Sequence, residues 1–551
     1  MLNTARIADK YRPAPPMVLP ARRWPDQVIR KPPIWCAIDL RDGNQSLPVP
    51  MNAAQKRQLF RTLVTCGIRE IEVGFPSASQ PEFDFVRSLV QERAVADDVT
   101  LMVLAPARQE HIQRACAALH GARTAILHLY LSTNPAQRRL VFGLDRAGVI
   151  RMAVQGAKWA MEETARHPET QWTLQFSPES FSATEPEFAL AVCEAVCEIW
   201  RPTPENKVIL NLPATVEVAT PNRYADQIEW FGDHLTCREA VMLSVHPHND
   251  RGTAVAAAEL ALMAGAQRVE GALFGNGERT GNVDLITLAL NLHTQGVDPG
   301  LRFADIDAVT REYERCTGMR VPPRHPYAGS LIFTAFSGSH QDAIRKGLAA
   351  WKETGGIWEV PYLPLDPADL GRSRETVIRV NSQSGKGGAA FVVERATGMT
   401  LPRALQVEFA LLVQRACEAS GRELIPEEVI DLFQATYQPP AAKAMLRKWR
   451  MREIAPGRTR MALRLLWRGA DWKGEGEGNG PVDAAIRGMP GEWRLLHYEE
   501  HALTPDASAR AAAFVELADS AGGRAFGVGC DANIVTASLL AILAAVHRIA
   551  P

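Results

Sequence analysis

From residue 33 onward, short apolar runs alternate with longer stretches in which apolar residues recur three and four positions apart. The runs are IWCAIDL (34–40), IREIEVGF (68–75), VTLMVLA (99–105), TAILHLYLS (124–132), TLQFS (173–177), KVILNL (207–212), AVMLSVH (240–246) and QRVEGALFG (267–275). Each has the length and continuity of a strand buried on both faces. A helical pattern follows each, such as MNAAQKRQLFRTLVTCG after the first and TAVAAAELALMAGA after the seventh. Eight such units predict a closed (β/α)8 barrel over 33–308, an α/β fold; an open doubly wound sheet is the alternative but rarely needs eight even units. A proline-rich arm (1–32) precedes the barrel. Past about residue 310 the alternation stops. SHQDAIRKGLAAW predicts a helix, WEVPYLPLDPADLGR a proline-ruled loop, and NSQSGKGGAAFVVERATG a Gly/Ser-rich link into helices ending near Tyr437. These form linker subdomains over 309–438. Strands mixed with two helices then predict an α+β module over 439–551.

Composition narrows the class. The chain has 551 residues, 61 basic against 62 acidic, and is 46% hydrophobic. That length suits two or three domains, and the even charge argues against a nucleic-acid or membrane-surface footprint. No apolar run is long enough to span a bilayer, and MLNTARIADKYRPAPPMVLPARRW lacks the apolar core of a signal peptide. Nine cysteines are scattered without a C-x-x-C pair, which speaks against a disulfide framework or zinc ribbon. Cys193 and Cys197, one helical turn apart, read as small apolar residues on a helix face. The expectation is a reduced, cytoplasmic protein.

Chemistry in such barrels sits on the loops at the C-terminal strand ends. The first strand ends in DLRDGNQSL, which puts Asp39, Arg41, Asp42, Asn44 and Gln45 at the rim. The fifth delivers Glu179, the sixth Thr215, and the seventh His246 and His248 within SVHPHND. The eighth runs into GNGERTGNVD, with Glu278, Arg279 and Asn282. Side chains two apart on a strand share a face, so the two imidazoles point the same way. Pro247 between them cannot donate to a ladder, which places the pair at a strand end. Alone, that pair barely differs from two hydrogen-bonded surface histidines.

Barrel closure makes strands seven, eight and one neighbours, so Asp42, His246, His248 and Asn282 can meet at one point. One carboxylate, two imidazoles and one amide oxygen, without thiolates, suit a six-coordinate divalent ion with positions open to water or substrate. Magnesium is placed first, with manganese and zinc left open. A 2-oxo acid would fill two of those positions, and the ion would act as a Lewis acid on its ketone carbon. Arg41 either stabilises the developing alkoxide or forms a rim salt bridge. Glu179 is an acid or base, a water-orienting group, or a solvated loop glutamate. Thr215 bonds a substrate carboxylate or caps a helix. GNGERTGN fits neither a Walker loop nor G-x-G-x-x-G, and reads as an active-site loop carrying Asn282.

Taken together, DLRDGNQSL, GFPSASQPEFDF, FSPESFSATE, SVHPHNDRGTAVAAAELALMAGAQRVEG and LFGNGERTGNVDL resemble the 2-isopropylmalate synthases. The likeness runs from about Pro33 to Arg379 and more weakly to the C-terminus. DLRDGNQ is informative, since the wider Claisen-condensing superfamily more often shows D-x-T-L-R-D/E-G-x-Q. The resemblance implies condensation of acetyl-CoA with 3-methyl-2-oxobutanoate, then thioester hydrolysis that frees CoA, the first committed step of leucine biosynthesis. It puts the metal ligands at Asp42, His246, His248 and Asn282, the arginine at Arg41, and substrate contacts at Glu179 and Thr215. It also implies a homodimer whose helical linker reaches over the partner's active site. SGSHQDAI and VPYLP place the linker's catalytic histidine and tyrosine at His340 and Tyr362.

GEGNGPVDA, EHAL and GVG-x-D-x-NI-x-x-ASL-x-A resemble the family's regulatory domain, where leucine binds and inhibits. Two departures bear on that feedback. The helix after GPVDA is short, and ASARAAAF stands where an acid-bearing run is expected after EHAL. Dimerisation alone is the other role for this module. Competing expectations are citramalate or homocitrate synthesis by the same chemistry, a lyase running in reverse, a metallohydrolase, and an inactive leucine-sensing barrel.

Overall fold

The structure, a computed structural model, describes residues 10–92, 95–335, 337–374, 386–420, 422, 424–438, 444–503 and 509–550. It divides into two compact units: Met1–Ile332 with Pro367–Arg372, and Phe333–Asp366 with Ser373–Pro551. Most of the Gly/Ser-rich link, the start of the C-terminal module at 439–443 and the first residues of ASARAAAF lie outside the described residues.

In the first unit eight parallel strands close into a barrel in chain order. They are β1 Ile34–Ala37, β2 Glu70–Gly74, β3 Thr100–Pro106, β4 Thr124–Ser132, β5 Gln171–Glu179, β6 Val208–Ala214, β7 Val241–Pro247 and β8 Arg268–Gly271. The pairs Ile34↔Arg268 and Trp35↔Val269 seal the ring. All eight expected strands are present, but two stop earlier than their apolar runs suggest. After β1, Asp39–Gly43 wind into a π-helical turn, with the Gly43 N–H on the Ile38 carbonyl at 3.1 Å. After β8, Leu273–Gly275 turn sharply, and the Leu273 N–H donates to the Asp39 carboxylate at 3.0 Å. Both rim segments that carry candidate chemistry are therefore turns that fix each other.

The helices follow local signals. Ala53–Thr65 opens on a capping box in which Asn52 and Gln55 each accept the other's backbone N–H at 3.0 Å. Ile306–Thr317 opens at an Asp305 cap, ends at left-handed Gly318, and packs on Ala53–Thr65. That packing keeps it with the barrel, whose compact unit runs past residue 308 to Ile332.

The barrel interior is more polar than its apolar runs suggest. Glu72, His128, Gln175, Ser177, Asn211, Ser244, Arg268 and Glu270 are all buried. Several of their partners lie on non-adjacent strands, which only inward-pointing side chains can reach. His128 bridges Glu72 (2.8 Å) and Ser177 (2.7 Å). Glu270 accepts from Gln175 (2.6 Å), Asn211 (3.0 Å) and Arg268 (2.7 Å). Arg268 also reaches Ser244 at 2.8 Å and pairs with Glu70. Buried charge is tolerated here because every carboxylate is paired and hydrogen-bonded.

Asp39 is the exception, a buried carboxyl with no cation beside it. Burial pushes it up to about 8, against the pull of the Leu273 N–H. An unfolded aspartate ionises near pH 4, so between about pH 4 and 8 the folded chain holds a proton the unfolded chain has lost. Stability must fall as pH rises through that window. Asp39→Asn removes the loss: its urea midpoint is expected above wild type at about pH 8.5 and level with it near pH 4. Midpoints that stay parallel across the range would contradict this.

In the second unit, helices Gly338–Thr354, Lys386–Thr397, Arg403–Ser420 and Pro426–Tyr437 precede two antiparallel three-stranded sheets. The first sheet is β9 Ala444–Ala455, β10 Arg458–Trp467 and β11 Ala470–Gly478, with helix Pro481–Gly488. That helix comes so close that a Cβ on Gly476 would lie 2.2 Å from the Ala484 carbonyl. The second is β12 Arg494–Ala502, β13 Ala511–Ala518 and β14 Arg524–Asp531, with helix Ile534–Ile549. Every residue of β13 is buried. Ala511, Ala513, Val515 and Leu517 join the core under the two sheet helices. Ala512 and Phe514 join another core with Phe409, Phe433 and Tyr437 of the linker helices. Among the described residues no helix is long and apolar enough to cross a membrane. All nine cysteines are free, and Cys193 and Cys197 are buried on one helix.

Candidate metal centre

His246 is the penultimate residue of β7, and His248 follows it in a single bridge to Asn282. The imidazoles lie 5.0 Å apart at 79°, both turned toward Asp42 on the π-helical turn. His246 Nε2 is 3.7 Å and His248 Nε2 3.4 Å from Asp42 Oδ2. Asn282 Nδ2 donates to the same oxygen at 2.8 Å, and Asn282 Oδ1 is 2.8 Å from His246 Nε2. The glycine-rich loop makes this approach possible, since a Cβ on Gly277 would sit 2.0 Å from Asn282 Nδ2. Those glycines therefore make room for a site residue within the chain.

The donors fit a cation. One ligand atom each from Asp42, His246 and His248 lie within 4.8 Å of one another, and all three residues are buried. His248 Nδ1 lies 2.7 Å from both the Thr215 carbonyl, which can only accept, and Arg279 Nη2, which can only donate. Its Nε2 is buried, without a hydrogen-bond partner, and faces Asp42 Oδ2 at 3.4 Å. His246 Nδ1 donates to Glu270 at 3.0 Å, a carboxylate–histidine pair that orients the ring. Burial disfavours a charged His246, yet the Asp42 and Glu270 carboxylates outweigh it and raise its pKa to about 10. Burial likewise opposes an ionised Asp42, and Arg41 with the two histidines still holds it well below the usual range. The site thus draws positive charge to the point between these three side chains.

Around that point lies a cavity of about 320 Å³ whose walls include Arg41, Asp42, Tyr130, Glu179, Thr215, His246 and His248. Arg41 is mostly buried and bridges Glu72 and Asp42 (3.1 Å), so its guanidinium is held at the cavity wall. Glu179 closes β5 half-buried, accepting from the Ser132 hydroxyl. The Thr215 hydroxyl accepts the Ser180 N–H at 2.8 Å, so Thr215 caps no helix; it ties β6 to the β5 loop and supports His248. His340 and Tyr362 lie in the second unit, stacked at 4.0 Å and 22°. Tyr362 is 61% exposed and sits at φ +64.

Sequence reasoning missed Glu270, Glu72, His128 and Asn211, which underlie the cavity. A signal existed: each is a polar residue interrupting an apolar strand.

The segment 32–312 matches the HMGL-like family model, 330–394 that of the alpha-isopropylmalate synthase post-catalytic domain, and 423–550 that of the LeuA allosteric (dimerisation) domain. The 2-isopropylmalate synthase of Ralstonia nicotianae is 54% identical over 548 residues, 98% of this chain and 95% of its own. That of Pseudomonas syringae pv. syringae is 54% identical over 539 residues, 98% of this chain and 97% of its own. Among solved structures, an HMG-CoA lyase in complex with coenzyme A and 3-methylmalate, its source given as Acenitobacter baumannii, aligns with TM-score 0.42 and 19% identity. It covers 53% of this chain and 93% of its own. With such identity sustained over nearly its whole length, the chain belongs to the 2-isopropylmalate synthase family.

Proposed function

We propose that the chain is an acyltransferase that converts acyl into alkyl on transfer, condensing acetyl-CoA with 3-methyl-2-oxobutanoate and water to give 2-isopropylmalate and CoA. A divalent ion held by Asp42, His246, His248 and Asn282 would polarise the ketone of the 2-oxo acid. Magnesium is the first candidate, and the donor types are compatible with manganese and zinc as well. Arg41, fixed by Glu72 and Asp42, offers positive charge to the oxygen that becomes the alkoxide. Thr215 and Glu179 contact the 2-oxo acid from the adjacent wall. A proton leaves the acetyl methyl group to Glu179, His340 or a water they share, and the carbon so freed attacks the ketone carbon. Water then cleaves the thioester and CoA leaves as the thiol. The buried convergence of Asp42, His246 and His248, in a chain of this family, carries the reading.

His340 and Tyr362 enter as catalytic residues supplied by the linker of a homodimer. Tyr362→Phe is expected to slow turnover by about tenfold or more while leaving metal content unchanged; an unaltered rate removes Tyr362 from the site. The divisions 1–32, 33–308, 309–438 and 439–551 are proposed as arm, catalytic, linker and regulatory segments. The last would bind leucine as feedback inhibitor, in a cytoplasmic enzyme. The comparisons give no support to the citramalate, homocitrate or inactive-sensor readings.

Free-thiol release from acetyl-CoA, with and without chelator, across a panel of 2-oxo acids tests the proposal. Metal-dependent release with 3-methyl-2-oxobutanoate and little with pyruvate or 2-oxoglutarate is the expected result. Preference for either of the latter changes the substrate assignment, and no release with any acceptor overturns the enzyme reading. Adding leucine to the active reaction tests the C-terminal module.

A further inference from the structure

At the opposite end of the barrel, two αβ turns bring three donor atoms together. His120 lies in the turn before β4, and His167 and Glu169 in the turn before β5; the two strands are neighbours, with Thr124 opposite Gln171. His120 Nδ1 is 3.2 Å from His167 Nδ1 and 2.7 Å from Glu169 Oε1, and His167 Nδ1 is 3.7 Å from that same oxygen. A point equidistant from three atoms so spaced lies about 2 Å from each, the length of a zinc–nitrogen or zinc–oxygen bond.

Protons alone satisfy this arrangement poorly. Nδ1 facing Nδ1 cannot both carry hydrogen, so three lone pairs converge on one shared proton. The backbone holds the donors in place independently of them. The His167 N–H bonds Thr164 O at 3.0 Å, and its carbonyl takes the Thr170 N–H (3.2 Å) and the Trp172 indole N–H (3.1 Å). The Gln171 N–H bonds Arg123 O at 2.9 Å, and Arg87 donates to the His120 carbonyl. His167 Nε2 stands 3.7 Å from a Glu163 oxygen, a carboxylate on the far side of a metal-binding imidazole.

We infer that His120, His167 and Glu169 form a second metal site, separate from the catalytic face, that takes a first-row transition-metal dication of the zinc class. Two imidazoles and one carboxylate favour zinc, copper or nickel over magnesium or calcium. The exposure of His120 and Glu169 leaves room for water in the remaining position. Such an ion would clamp the feet of β4 and β5 across the two turns.

The test is zinc stoichiometry on the full-length protein after chelator stripping, by equilibrium dialysis at micromolar zinc. His120→Ala is expected to bind one zinc per chain fewer than wild type, with magnesium-supported turnover unchanged. Should His120→Ala fail to fold, Glu169→Gln gives the same count. Equal zinc in wild type and variant overturns the site, as does a difference that emerges only at millimolar zinc. Copper(II) bound to His246→Ala should still give an electron paramagnetic resonance signal coupled to two imidazole nitrogens, and adding His120→Ala should abolish it. A two-nitrogen signal that survives both substitutions also overturns the inference.

Discussion

His246→Ala is expected to lose turnover by on the order of 10³-fold or more, and its divalent metal with it, while remaining folded. The size follows from two losses at once. The ring supplies Nε2 to the point where Asp42 and His248 converge, and its Nδ1–H ties that point to Glu270. A metal that polarises a ketone contributes several kcal/mol to the transition state, and the remaining protein ligands do not hold it in position. The fold survives because Glu270 keeps its bonds to Gln175, Asn211 and Arg268. Metal content and thiol release, measured on the same preparation, decide the matter. Turnover that persists without added metal would sink the metal reading.

The second large effect is on stability. Glu270→Ala should cost about 3–5 kcal/mol, the price of leaving a buried ion pair half-made. Arg268 is fully buried, and Glu270 and Glu70 are its carboxylate partners. Glu270→Gln keeps the shape and some hydrogen bonds but removes the charge behind His246. It should fold and bind metal about 10–100-fold more weakly. Urea denaturation separates the first effect, and metal titration of the glutamine variant the second. A Glu270→Ala midpoint equal to wild type would mean that the interior network contributes nothing to folding.

The barrel was legible because each strand is a mostly apolar run and several helices carry their own caps, as at Asn52. Asp42, His246, His248 and Asn282 could be placed together from strand order alone, since closure makes β7, β8 and β1 neighbours. The turns at Asp39–Gly43 and Leu273–Gly275 could not. They depend on the Asp39 carboxylate meeting the Leu273 N–H, two segments more than two hundred residues apart. The interior network was hidden for a related reason. A glutamate at position 72 or 270 looks like a solvent-facing residue of an amphipathic strand until its partners across the barrel are known. Thr215 shows a third limit, because its backbone carbonyl, which no side-chain pattern reports, lies 2.7 Å from His248 Nδ1.

The burial of β13 on both faces limits how this protein can be cut and recombined. Alternate residues of that strand complete two cores, one beneath the C-terminal sheets and one shared with the linker helices. A chain truncated before residue 444 would bare Phe409, Phe433 and Tyr437 to water and invite aggregation. A chimera that borrows a relative's regulation faces the same seam, because it would set foreign strands against native helices. The transferable piece is therefore 386–550, linker helices included, rather than the 439–551 segment that sequence pattern alone marks out.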